Sequence, residues 1–329
     1  MYQPEAYTAA LVLMLGSMIC WGSWANMLKL TPGWPFQLFY WDYVLGVILG
    51  ALLWGLTLGS LGTGGPSLLS ELAQTDTAHV LFALAGGAIF NIANLLLVAA
   101  IEIAGLAIAF PVGIGLALIV GVVLNYALRP QGNPLLLAAG VALVSLAIVL
   151  DARAYYLRES SREASRRGVV ISIACGVLMG SFYPLVTRAT TGAAGLGPYG
   201  VAVIFAIGVA LSALVANSLL MRRPLTHGAP VHMRDFVGAP PAWHVWGVLG
   251  GIIWCTGMVW NLVASHAQLV GPAVSYAIGQ GATMVSALWG VVIWREFATA
   301  PSASKRMLMP MFVCFAAGLA VIAIVPLLS

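Results

Sequence analysis

His79 to Val98 reads HVLFALAGGAIFNIANLLLV, and His244 to Val263 reads HVWGVLGGIIWCTGMVWNLV. Neither stretch holds a single Asp, Glu, Lys or Arg. About 20 apolar residues in a helix cross a 30 Å hydrocarbon core. Continuous apolar runs select helices, because the strands of a membrane barrel are shorter and alternate. Runs of this kind recur along the whole chain. They predict ten spans at about 7–29, 37–60, 79–99, 102–127, 134–152, 168–189, 198–221, 242–266, 270–294 and 307–328. The fold class is an all-α membrane protein.

Composition agrees. Hydrophobic residues make up 61% of the 329 and charged ones 7%, against about 25% charged in a soluble domain. A chain this poor in charge must be solvated by lipid. The net charge of +4 is spread over loops, with no basic patch interleaved with aromatics, so nucleic acid is not an expected partner. Cys20, Cys175, Cys255 and Cys314 lie in apolar segments without CxxC spacing. They read as small core residues, neither a disulfide framework nor a metal site. The start, MYQPEAYTAA, lacks a positive region, so the first run is expected to be a span and not a signal peptide.

The two opening stretches also align with each other. Gly86-Gly87 matches Gly250-Gly251, and farther on GLAIAFPVGIG from Gly105 matches GPAVSYAIGQG from Gly271. Each half holds five spans, and an odd number starts the second half on the opposite side of the membrane. The expectation is two inverted five-helix repeats, 1–152 and 168–329, joined by a linker at 153–167. Many secondary transporters have this architecture, with a site near the midplane. The glycines fit it, since small residues let membrane helices approach closely.

Orientation follows from Lys and Arg. Ends after odd-numbered spans carry Lys29, five arginines within 153–167, Arg222, Arg223, Arg234, Arg295, Lys305 and Arg306, while the other side has Arg129 and Arg188. The asymmetry predicts a multi-pass protein of the plasma (inner) membrane with both termini outside and the 153–167 loop in the cytoplasm.

Several short pieces resemble a known family. They are Trp21-Gly22-Ser23-Trp24, Tyr40-Trp41-Asp42-Tyr43, Leu56-Thr57-Leu58-Gly59-Ser60, Phe82-Ala83-Leu84-Ala85-Gly86-Gly87 with Asn94, Leu124-Asn125-Tyr126, Ser181-Phe182-Tyr183-Pro184, and Trp289-Gly290-Val291 leading to Glu296. On these the chain resembles the ureide permeases of the drug/metabolite transporter superfamily, near the glucose/ribose/rhamnose sugar porters. The resemblance implies a ten-helix importer of neutral planar solutes such as allantoin or uracil, moved with protons. The plant members carry a long central region with a nucleotide-binding-like motif. Here the central loop is short and has no GxxxxGK[ST], so no cofactor is expected.

Ionisable residues in hydrocarbon are costly and point to function. Asp42, inside the second span, reads as a proton acceptor or as the ion-pair partner of Lys29. The roles can coexist, because a carboxylate that changes partner couples well. Glu102 is expected to open the fourth span, where it complements the helix dipole. Asp151 is expected to pair with Arg153, and Glu296 to anchor near Arg295.

Uncharged polar groups suit recognition. Gly87, Asn91 and Asn94 share a stripe, as do Pro272, Tyr276, Gln280 and Thr283. An amide side chain offers donor and acceptor together, which matches the NH–CO edge of a ureide or nucleobase and also a sugar hydroxyl. The plainer role of each such residue is glue between helices. Asn26 and Asn261 extend the set. Trp21, Trp24, Tyr40, Tyr43, Tyr183 and Trp254 lie inside spans, where a flat solute can stack. Trp34, Trp243, Trp246 and Trp294 lie at span ends and read as interface anchors.

A secondary transporter accounts for these features best. No HExxH or GxSxG is present, so an enzyme is not expected, and two dissimilar halves argue against a symmetric channel. The expected function is import of a ureide or nucleobase by proton-coupled alternating access. A sugar permease and a drug/metabolite exporter are the alternatives. Expected partners are the small solute, the bilayer, the coupling proton and, in a homodimer, a second copy of the chain.

Overall fold

The computed structural model describes residues 1–61, 64–159, 165–225, 229–267 and 269–328. Among them every regular element is a helix. Ten helices are long and apolar enough to cross a membrane: Tyr7–Leu30, Phe36–Leu61, Thr77–Ala104, Pro111–Leu128, Pro134–Arg158, Arg166–Ala189, Pro198–Arg222, Pro241–His266, Pro272–Ile293 and Ser302–Leu327. This is a multi-pass helical membrane protein.

Proline sets several starts. Pro198, Pro241 and Pro272 open the seventh, eighth and ninth spans, where the missing N–H would have had no partner anyway. The first span tightens to a 3-10 helix over Trp24–Leu30 and ends in the Thr31-Pro32-Gly33 turn. Gly105, at φ +78°, stops the third span.

That stop corrects the sequence reading of Glu102. The third span runs on to Ala104, so Glu102 lies in its last turn and not in the first turn of the fourth. The linker is also shorter than expected. The fifth span continues through Glu159 and the sixth begins at Arg166. Residues 160–164 of the expected linker lie outside the described residues. So do 226–228 of the polar 222–241 segment, including His227. Within that segment a short helix forms at Met233–Val237, capped by His232 and Asp235.

Two spans lose regular α-helical bonding midway. The fourth turns π-helical over Phe110–Ile114 and the ninth breaks after Gly279, resuming at Ala282. These are positions the sequence alignment of the halves pairs, Gly113 with Gly279 and Gly115 with Gly281. Interruptions of this kind are frequent at functional sites, and across the second one the backbone stays paired, Gln280 N–H donating to the Tyr276 carbonyl at 3.1 Å and Gly281 N–H to that of Ile278 at 2.9 Å.

The chain forms two compact units, Met1–Ile92 with Leu185–Leu269, and Ala93–Pro184 with Val270–Ser329. Each draws spans from both sequence halves. In the first unit the second and eighth spans meet through glycine. A Cβ at Gly46 would strike the Val248 carbonyl, and one at Gly251 the Tyr43 carbonyl. Backbones that close give dense contact where lipid offers no hydrophobic drive for helix association. In the second unit the fifth and tenth spans pack at Gly140 and Gly318. There Gly121 of the fourth span leaves room for the ring of Tyr276.

Candidate functional site

Glycine contact between the second and eighth spans positions the one carboxylate–imidazole pair described inside the spans of the first unit. Gly247 and Gly251 lie one turn apart on a bare face, and a Cβ on Gly247 would meet Cβ of Asp42. One turn before Gly247 stands His244. Its Nδ1 lies 2.7 Å from Asp42 Oδ2. The Asp42 carboxylate is 7% exposed and the His244 ring 27%. When Asp42 is ionised, Nδ1–H donates to it and Nε2 carries the free lone pair. The imidazole thus satisfies one oxygen of the nearly buried carboxylate.

An aromatic cap covers the imidazole. Trp34 meets it edge-on at 5.2 Å between ring centres, and Phe236 of the short Met233–Val237 helix does so at 4.7 Å. Trp34 itself stacks on Phe236 at 6.1 Å and touches Trp243 at 5.7 Å. This corrects the reading of Trp34 as an interface anchor. It is buried, and its Nε1 has no hydrogen-bond partner among the described residues.

One residue along from Asp42, Tyr43 begins an aromatic box. Its ring lies 4.8 Å from Trp24, 5.1 Å from Tyr40 and 6.4 Å from Trp254. Trp254 in turn stacks on Phe90 at 4.2 Å and on Phe205 at 5.9 Å. Trp21 stacks on the far side of Trp254 at 6.1 Å and donates Nε1–H to the Trp254 carbonyl at 3.2 Å. The polar groups of the box are few and their roles are fixed. Tyr40 donates its hydroxyl to Asn91 Oδ1 at 2.8 Å. That bond sets the amide orientation and leaves Asn91 Nδ2 as a donor. Asn91 Nδ2 and the Tyr43 hydroxyl are fully buried and have no partner among the described residues. A buried donor left unpaired costs about 1–3 kcal/mol. Both lie among the stacked rings of the box.

The structure thus brings Trp21, Trp24, Tyr40, Tyr43, Asn91 and Trp254 into one cluster, while Asp42 faces His244 and Gly247 of the eighth span. Asn26 instead bonds its own helix, Nδ2–H donating to the Ser23 carbonyl at 3.1 Å. Asn261 is buried in the eighth span of the same unit. Asn94, Tyr183, Tyr276, Gln280 and Thr283 belong to the second unit. There Tyr276 spends its hydroxyl on backbone, 3.1 Å from the Ala117 carbonyl and 3.3 Å from that of Met179. Its ring packs at 5.3 Å from Tyr183, and Thr283 donates to the Gln280 carbonyl at 3.0 Å. Tyr276 thus ties the ninth span to the fourth and sixth, whereas the Thr283 bond is local.

One acidic reading changes, and a second gains its partners. Asp151 is buried, while Arg153 points outward over the Tyr156 ring at 5.3 Å. Residues two apart on a helix face different ways, so the expected pair does not suit the geometry. Glu296 is held by Tyr155, whose hydroxyl donates at 2.9 Å, and by Arg158 at 3.2 Å. Its anchors come from the fifth span.

His244 was not singled out in the sequence as a functional residue. The available signal was its helical stripe with Gly247 and Gly251, which marks the face the second span must meet. Among the described residues no three His, Cys, Asp or Glu side chains converge as metal ligands would.

Together these features define a polytopic helical membrane protein that buries an ionisable pair beside an aromatic box with free donors. Its similarities to known proteins are specific. The family model described as Ureide permease matches residues 39–167, which include Tyr40, Asp42, Tyr43 and Asn91. The chain is 24% identical to Ureide permease 1 of Arabidopsis thaliana, with 98% of each chain covered. It is 22% identical to Ureide permease 4 of the same plant, again over 98% of each. The crystal structure of another protein superposes with a TM-score of 0.65 at 18% identity, covering 95% of this chain and 96% of that one. The last likeness concerns the fold alone.

Proposed function

We propose that this chain is a member of the ureide permease family, a secondary transporter and not an enzyme. Its substrate in this reading is a small neutral polar solute, a ureide such as allantoin or a nucleobase such as uracil. The observation that carries the reading is the pair of buried unpaired donors, Tyr43 Oη and Asn91 Nδ2, inside a box of stacked rings. A ureide carbonyl accepts both hydrogen bonds, and its flat ring lies against Trp254 or Trp24. The names of the similar plant proteins support the same substrate class.

The coupling ion is the proton, and Asp42 with His244 is its carrier. A proton arriving on the pair removes the charge from a buried site beside the substrate, which favours the loaded chain crossing between its two open states. Movement is by alternating access, with the inverted repeats 1–152 and 168–329 exchanging roles. Both termini lie outside and the 153–167 segment faces the cytoplasm, following the distribution of Lys and Arg.

The test is uptake into proteoliposomes of purified protein. Radiolabelled allantoin and uracil should accumulate when the lumen is made alkaline relative to the bath, and collapse of that gradient by an ionophore should release them. Accumulation of glucose or ribose with no response to either compound would overturn the substrate class in favour of a sugar permease. Solute movement indifferent to the proton gradient would overturn the coupling.

A further inference from the structure

The second unit carries a feature that substrate transport leaves unused. The fourth and fifth spans part to leave a groove of about 720 Å³, lined by Ile119, Val122, Tyr126, Leu137, Val141 and Ser145 among others. Such a volume is in the range of small-molecule sites, yet the lining is almost wholly aliphatic. Only two side chains of the lining, Tyr126 and Ser145, carry a hydroxyl. Tyr126 donates to the Gly132 carbonyl at 3.1 Å, and Ser145 is a single buried hydroxyl. The face is a surface one, since Ile119 and Val123 beside it are exposed. In a membrane protein such a face meets lipid.

The groove has a defined depth and a charged end. Pro134 and Ser145 both line it, and eleven residues of helix separate them by about 16 Å, half of a 30 Å hydrocarbon core. It therefore runs from the interface toward the midplane. Its interfacial end, at Ala127 and Pro134, lies next to the turn that joins the two spans, and Arg129 caps the fourth span at the start of that turn. Arg129 is half-buried there. Lys and Arg are scarce on this side of the chain, so a lone arginine beside an apolar slot is a specific arrangement.

We propose that the groove binds one anionic phospholipid, its acyl chain lying between the fourth and fifth spans and its phosphate on Arg129. The slot supplies apolar contact along the chain, and the guanidinium supplies a fork that matches phosphate oxygens. The site is separate from the transport reading and stands whatever the solute is.

Delipidated full-length protein in detergent, titrated with phosphatidylglycerol or phosphatidylcholine of the same acyl chains, tests this by thermal unfolding and by native mass spectrometry. Wild type should bind phosphatidylglycerol about tenfold more tightly than phosphatidylcholine, with one tightly retained copy. Arg129→Gln, at the half-buried C-cap of the fourth span, should fold normally and lose that preference. Ala138→Trp places an indole in the groove from an exposed position and should lose the retained copy of either lipid. Equal binding of the two lipids by wild type would overturn the proposal. So would a preference that survives Arg129→Gln, or a retained lipid that survives Ala138→Trp. Stabilisation by inorganic phosphate alone equal to that by phosphatidylglycerol would also overturn it, since the groove would then take no part.

Discussion

His244 Nδ1 and Asp42 Oδ2 stand 2.7 Å apart across 202 residues of sequence. The contact exists because Gly247 and Gly251 let the second span press against the eighth. Removing one partner leaves the other buried and unsatisfied. Asp42→Asn keeps a hydrogen-bond acceptor for the imidazole but cannot take a proton. We expect it to abolish accumulation against a gradient while solute counterflow, which needs no net proton movement, persists. His244→Gln should share this split. Proton-driven accumulation by Asp42→Asn at the wild-type level would remove the pair from the coupling step.

Gly250 and Gly251 are adjacent and look equivalent in the sequence, but they face different neighbours. A Cβ on Gly251 would strike the Tyr43 carbonyl, a backbone atom that cannot yield. On Gly250 it would find the tip of Phe39 at 3.3 Å and Met27 Cβ at 3.5 Å. Forcing an extra group into a close-packed contact costs on the order of 1–3 kcal/mol. Gly251→Ala should therefore lower the midpoint of thermal unfolding in detergent, and Gly250→Ala should lower it far less. Equal losses would show that the close approach of the spans is not what these glycines serve.

The spans are legible in the sequence because lipid imposes a strong rule. A crossing segment must be long, apolar and helical so that every backbone group is paired. Asp42 is legible for the same reason, as a charge where charge is expensive. What escaped was pairing at a distance. His244 reads as the start of a span, and only the folded contact makes it the partner of Asp42. Trp34 escaped because a tryptophan near a span end has two homes, the interface or a buried cap, and the short helix carrying Phe236 decides between them. Glu102 escaped because the stop at Gly105 is a matter of backbone conformation and not of hydropathy.

Glu71 gives a pH signature outside the spans. It sits on the short helix Leu68–Gln74 and accepts the Gly197 N–H at the start of the seventh span. Burial pushes its carboxyl above the ordinary 4.5, while the Gly197 hydrogen bond pulls the other way. A carboxyl raised in the folded state binds its proton more tightly there than in the unfolded chain. Its contribution to stability is thus full below about 4.5 and is lost as pH rises through the folded value. Wild type should lose thermal stability over that rise relative to Glu71→Gln, which keeps the acceptor for Gly197 but does not titrate. Parallel profiles of the two proteins above pH 4.5 would refute this account.

The box around Tyr43 makes the most direct claim on substrate. Its hydroxyl is fully buried and has no partner among the described residues, and the same holds for Asn91 Nδ2, whose amide oxygen is already taken by Tyr40. Tyr43→Phe removes one donor and changes nothing else in the packing. If a solute carbonyl accepts from that hydroxyl, the loss of one hydrogen bond in a dry site should raise KM about tenfold. The maximal rate should be little changed. The free protein should gain slightly in stability, since an unpaired buried donor is gone. Asn91→Ala should cost more, because it removes the second donor and also the amide oxygen that accepts from Tyr40. Tyr40→Phe should cost least, as it frees Asn91 Oδ1 and leaves both donors in place. The ranking separates recognition from packing. A structural role alone would make Tyr40→Phe, which breaks a formed bond, the more damaging change to the fold and would leave KM untouched in Tyr43→Phe.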